Sequence, residues 1–231
     1  MSVKLALVGK NISHSLSPQL QKEIWGDKLS SYDLIDVDNI DDLPSLQELA
    51  KTYQGINITT PYKEAYVGQV EIESEVARQI GAINTISLID MSAINSDAVA
   101  VEKILKQYFE LIPRLKVHLL GDGVMARMTV LVCQKLGIDF DQYTRKAHGD
   151  LTHLDLSMLN SNDLVINSCS RSFVFKGDIS SDCHFWDYNY SFPQHSDLSH
   201  KVKSYQDGQP LLRDQAISAA EFWQQKSKIN Y

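Results

Sequence analysis

Residues 116–137 read KVHLLGDGVMARMTVLVCQKLG, and the order of patterns within them decides the fold. Residues 116–120 are a short apolar run of strand length, Gly121-Asp122-Gly123-Val124-Met125-Ala126 is a GxGxxA loop, residues 127–136 carry helical periodicity, and Gly137 stands where a helix would stop. A strand, a glycine turn and a helix in that order suit a dinucleotide. Two glycines let the backbone approach a pyrophosphate, and the helix N-terminus offers unpaired N–H groups at the positive end of its dipole. An ordinary tight turn between strand and helix gives the same match, and both readings stand at this point. Asp122 weighs against a phosphate ligand: a carboxylate about 5 Å from a phosphate costs on the order of a hundredfold in affinity at an effective dielectric of about 20.

The next strand, 140–144, ends in Thr144-Arg145-Lys146, where a dinucleotide unit meets the adenosine ribose. Cations there accept the extra phosphate of NADP, whereas an acid would select NAD; Asp141 falls inside the strand rather than at its tip. A solvated basic strand end is the alternative reading. The cofactor-binding candidates are Gly121, Gly123, Val124, Ala126, Thr144, Arg145 and Lys146, with NADP expected in preference to NAD.

Outward from this unit, strand-like runs at 4–8, 32–37, 55–59, 84–89, 163–167 and 184–189 alternate with helical patterns at 19–25, 43–52 and 97–109. Such alternation predicts an α/β protein built from parallel βαβ units. Ser17-Pro18 reads as an N-cap followed by proline at the first helical position. The pattern breaks after the 97–109 helix, giving a first domain over 1–105 and a Rossmann-like doubly wound domain over 106–205. A long helix at 210–228, with Leu212, Ala216, Ala219 and Trp223 on one stripe, has no strand after it. It is expected to return to the first domain, so that 206–231 joins 1–105.

The 231 residues are 43% apolar, enough for a sizeable core, and 29 acidic against 22 basic side chains leave a formal charge of −7. That balance gives no electrostatic reason to expect nucleic acid, and a small-molecule partner is expected instead. Cys133, Cys169 and Cys183 have neither the spacing of a zinc site nor the number of a disulfide framework, so no metal is expected and a reducing cytoplasm fits. The apolar run at 5–8 is too short for a signal peptide, and no stretch has the length of a membrane span.

Polar residues gather at strand ends in the first half. Residues 9–18 follow the first strand with three serines and His14, a set that suits a carboxylate or a polyol; loop polarity with Ser17 only capping a helix is the plainer alternative. Residues 55–63 end a strand in Asn57, Thr59 and Thr60, then Pro61, with Lys63 just beyond. Such a lysine is ordinarily at the surface, but desolvation would lower its pKa and fit it for proton transfer. Asp97 opens the 97–109 helix on the face of Val101, Ile104 and Tyr108. Charge at a helix N-terminus explains many such aspartates; a catalytic role needs a partner, for which Lys63 is the candidate. Gln215 shares a stripe with Leu211, Ala219 and Phe222 and must find a polar partner there.

The ordered series HSLSP (14–18), GINITTPYK (55–63), GAINTI (81–86), NSD (95–97), the glycine loop, TRK (144–146), NSCS (167–170), DYNY (187–190) and a last helix carrying Gln215 resembles the shikimate dehydrogenase family over almost the whole chain. The resemblance implies a two-domain oxidoreductase that reversibly reduces 3-dehydroshikimate to shikimate with NADPH, on the way to the aromatic amino acids, as a monomer or homodimer. It implies that Ser15 and Ser17 hold the substrate carboxylate, that Asn57, Thr59, Asn84 and Gln215 hold ring hydroxyls, that Tyr190 approaches from the second domain, and that Lys63 and Asp97 are the acid/base pair. Departures from the family pattern cluster in the cofactor half: Asp122, Val124 and Met125 in the glycine loop, TRK for NRT, and Cys169 with Arg171-Ser172-Phe173 after Asn167. They leave as alternatives a non-catalytic shikimate-binding relative with an impaired cofactor site, or a dehydrogenase of quinate or another cyclitol acid.

Overall fold

The computed structural model describes residues 2–227; Lys228, the last residue read into the final helix, lies outside them. The chain divides into two compact units, one holding the residues up to Ala100 with those from Arg213 onward, the other Val101–Leu212. These divisions fall inside two helices, where the sequence reading put its edges at 105 and 206.

The first unit runs β1 (Val3–Gly9), α1 (Ser17–Trp25), β2 (Leu29–Asp36), α2 (Leu46–Leu49), β3 (Gly55–Ile58), β4 (Glu71–Ile72), α3 (Glu75–Ile80), β5 (Thr85–Ser87) and β6 (Ser92–Ile94), then α4 (Ser96–Leu111) crosses into the second. There follow β7 (Lys116–Leu120), α5 (Val124–Leu136), β8 (Asp139–Tyr143), α6 (Arg145–His148), β9 (Asp163–Asn167), β10 (His184–Asp187) and β11 (Ser204–Gln206), and α7 (Gln209–Ser227) leads back to the first unit.

The first sheet has six strands in the order β2-β1-β3-β5-β6-β4. It is not wholly parallel as expected: β5 runs antiparallel to both β3 and β6. The physical reason is the short link between β5 and β6, which can close only a hairpin, since a parallel crossover needs about a dozen residues. The carboxyl ends of β1, β3 and β6 and the start of β5 therefore share one edge. Two local expectations also change. Helix α1 begins at Ser17 itself, with Leu16 in the cap position and the Ser15 hydroxyl accepting the Ser17 N–H at 3.2 Å. The helix expected over 43–52 shrinks to α2, because Pro44 interrupts it and Ser45 with Glu48 forms a capping box one residue later.

Helix α7 packs on the first sheet through Ala219, Ala220, Phe222 and Trp223, which join Val3, Leu5, Trp25 and Leu29 in one apolar cluster. The second sheet has five strands, all parallel, in the order β11-β10-β9-β7-β8. This is a doubly wound sheet whose winding reverses between β7 and β9, and ligands bind such sheets beyond the strand ends at that point. Gly137 ends α5 in the left-handed conformation expected of it, at φ 68°. Among the described residues no helix is long and apolar enough to cross a membrane.

Candidate active site

At the shared edge of the first sheet, Lys63 is set by its neighbours rather than by regular structure. Tyr62 and Tyr66 are buried and donate their hydroxyls to the Val37 and Pro44 carbonyls at 2.7 Å each, and the Lys63 carbonyl accepts the Ile83 N–H at 2.8 Å. Asp97 is set by the start of α4, where the Asn95 side chain accepts the Ala98 N–H at 3.1 Å and donates to the Ala82 carbonyl at 3.1 Å. The two held segments bring Lys63 Nζ to 2.6 Å from Asp97 Oδ2, with the side chains only 19% and 15% exposed. A charge-assisted hydrogen bond of this length and burial sets an ammonium donor and a carboxylate acceptor side by side, the arrangement that orients a hydroxyl.

Beside the ion pair lies a polar network. Tyr32 donates its hydroxyl to Asn57 Oδ1 at 2.7 Å and also bonds the Ser17 hydroxyl, and burial pushes its phenol far up. Asn57 Nδ2 donates to the Asn84 carbonyl and to Thr85 Oγ1, both at 3.0 Å. Asn84 Oδ1 accepts the Ser96 N–H at 2.6 Å, and the Ser96 hydroxyl donates to Gln215 Oε1 at 3.3 Å. Thus Ser17, Asn57, Asn84 and Gln215, drawn from near both ends of the sequence, are linked through Tyr32, Thr85 and Ser96, three residues the sequence reading did not single out. Thr59 follows β3 with its methyl against Gly9, where an added Cβ would lie 2.4 Å from it. Ser15 holds the start of α1, as above.

In the second unit, a cavity of about 440 Å³ opens at the reversal of winding, lined by Gly121, Asp122 and Gly123 from beyond β7, Ser168, Cys169 and Ser170 from beyond β9, and Arg145 among others. Gly121 has φ 115°, and a Cβ there would lie 2.8 Å from the Ser168 hydroxyl. Only glycine adopts this backbone freely. Gly123 caps α5 without a side-chain cap, and nothing lies within 4 Å of where its Cβ would be, so the space beside this helix start is open. Asp122 is exposed, so its charge is screened by water.

Other cofactor candidates lie elsewhere in this unit. Val124 is the first residue of α5, and Ala126 is fully buried, where a small side chain lets the helix approach the sheet. Thr144 caps α6 by accepting the Ala147 N–H at 3.2 Å, and Lys146 is exposed; neither is among the lining residues named for the cavity. Asp141 pairs with Lys116 at 2.7 Å, which accounts for its charge within the strand. Tyr190 has its ring 5.8 Å from the Arg171 guanidinium, which donates to the Tyr190 carbonyl at 2.7 Å. Burial pushes the Cys169 thiol up to about 11, so it lines the cavity as a neutral thiol.

Residues 7–86 match the family described as the shikimate dehydrogenase substrate binding domain. The shikimate dehydrogenase (NADP(+)) of Saccharolobus solfataricus is 23% identical, with 96% of this chain and 89% of that protein covered. That of an Exiguobacterium strain is 34% identical over a shorter span, 54% of this chain and 49% of its own. Among solved structures, shikimate 5-dehydrogenase from Thermus thermophilus in complex with NADP(H) and shikimate has the same fold, with a TM-score of 0.74 at 22% identity, covering 96% of this chain and 93% of that one.

Proposed function

We propose that this chain, whose residues 7–86 match the shikimate dehydrogenase substrate binding domain, is an NADP-dependent oxidoreductase of that family, reversibly reducing 3-dehydroshikimate to shikimate, a step toward the aromatic amino acids. The observation that carries the reading is the Lys63–Asp97 pair beside a network of amides and hydroxyls. Ser15 and Ser17 are assigned to the substrate carboxylate, and Asn57, Thr59, Asn84 and Gln215 to ring hydroxyls. In the reductive direction negative charge builds on the ketone oxygen; the Lys63 ammonium stabilises it and donates the proton, while Asp97 orients the resulting hydroxyl. In the oxidative direction Lys63 takes that proton back.

The second-unit cavity fits a dinucleotide: an uncapped helix N-terminus and close-packed glycine offer a phosphate cradle, and Arg145 is a cation on its wall. NADP, when bound, supplies or accepts the hydride. Gly121 and Gly123 with the α5 N–H groups are assigned to its pyrophosphate, and Arg145 to the 2′-phosphate. Three free cysteines, two of them buried, accord with a cytoplasmic location.

Formation of NADPH on mixing the protein with shikimate and NADP tests this function, with NAD and quinate as controls. Turnover is expected with shikimate and NADP. Shikimate binding in calorimetry without turnover on any pairing would overturn it in favour of a non-catalytic binder, and turnover confined to quinate would reassign the substrate. Arg145→Ala is expected to raise KM for NADP by about tenfold while leaving KM for shikimate unchanged, since one charged hydrogen bond is lost. An unchanged KM for NADP would remove Arg145 from the phosphate site.

A further inference from the structure

We propose that His195, acting through Asp187, is a positioning residue that fixes the wall of the nucleotide cavity; the inference rests on the cofactor reading above. Both side chains are 0% exposed, and His195 Nδ1 lies 2.5 Å from Asp187 Oδ2. The other ring nitrogen, Nε2, accepts the Phe175 N–H at 2.8 Å, which places the ring proton on Nδ1 for donation to the carboxylate. Phe175 directly follows the lining residues Ser172, Phe173 and Val174. One end of the cavity-lining segment 168–175 is therefore tied to Asp187 through an imidazole.

The opposite end is tied to the same carboxylate. Asn167 and Asn189 each donate a side-chain N–H to Asp187 Oδ1 at 3.1 Å. Asn167 Oδ1 accepts the Cys169 N–H, and Asn189 Nδ2 also donates to the Cys169 carbonyl, both at 3.1 Å. Between these anchors the segment has no strand or helix to hold its shape. A loop without a ladder of its own keeps a single conformation only through such ties, and a preformed wall spares the ligand the cost of ordering it. With both side chains shut away from solvent, the work of this Asp–His pair is defined by its hydrogen bonds.

Two substitutions separate the two bonds of His195. In His195→Gln the side-chain carbonyl reaches about as far as Nε2 and can still accept the Phe175 N–H. In His195→Asn the amide nitrogen replaces Nδ1 and can still serve Asp187, but nothing reaches Phe175. In calorimetric titration with NADPH, His195→Asn and His195→Gln, each keeping one bond of a tie that needs both, are expected to bind about tenfold more weakly than wild type, with shikimate affinity equal in all three. By NMR, the Phe175 amide is expected to exchange rapidly with solvent in His195→Asn and to remain protected in the other two.

An NADPH affinity equal to that of the wild type in either variant would overturn the inference. Failure of the wild type to bind NADPH would sink the cofactor reading itself and this inference with it, a distinct outcome. Should His195→Asn not fold, Asn189→Ala releases the Cys169 end instead. About fivefold weaker NADPH binding is then expected, and unchanged affinity would overturn the proposal.

Discussion

Lys63→Ala lowers kcat for shikimate oxidation by about a thousandfold and leaves the affinity for NADP unchanged, the expected result if Lys63 moves the proton, since a positioned acid or base contributes roughly a hundred- to ten-thousandfold. The substitution removes the ammonium that lies 2.6 Å from Asp97 and leaves a mostly buried carboxylate without its counter-charge. The glycine loop, assigned to the nucleotide, belongs to the other unit. Steady-state rates read the first effect and calorimetry with NADP the second. A fall of less than tenfold would remove Lys63 from proton transfer, and a parallel loss of nucleotide affinity would mark a general structural defect.

Trp223→Ala destabilises the first unit by about 3–5 kcal/mol, the range for deleting a buried aromatic side chain. The indole is 2% exposed, lies among Trp25, Leu29 and Phe222, and donates its N–H to the Ile86 carbonyl at 2.8 Å. Gly55 faces it, and a Cβ there would come within 2.3 Å of the indole nitrogen, so the backbone and the ring are fitted to each other. Alanine leaves a cavity and removes the N–H from the Ile86 carbonyl. Because α7 also carries Gln215, shikimate affinity is expected to fall along with stability. A urea unfolding series checks the first effect; a shift equivalent to less than about 1 kcal/mol would mean that the surrounding side chains collapse into the space.

Patterns confined to a few neighbouring residues were legible without coordinates. The runs at 116–120 and 163–167 have the same bounds as β7 and β9, and the glycine loop leads into α5 and stops at Gly137. Strands β4, β6 and β11, of two or three residues each, were not legible, because so short a run carries no period. Pro44 was there to be read as a stop for the helix expected over 43–52. Tyr32 looked like an ordinary strand residue, and only its hydroxyl bonds to Asn57 and Ser17 give it a place in the polar network. Thr144, Arg145 and Lys146 followed from their place at a strand tip, and the fold adds that Thr144 caps α6 while Arg145 lines the cavity.

Local sequence thus determined where strands and helices form, that one half is a doubly wound unit, and which polar residue types stand at strand ends, since period, turn chemistry and capping act over a few residues. Tertiary structure alone decided that β5 reverses, that Lys63 and Asp97 meet across 34 positions, and that Asp187 gathers both ends of one loop. Those outcomes depend on through-space distances of about a hydrogen bond between chain segments whose separation no local pattern encodes.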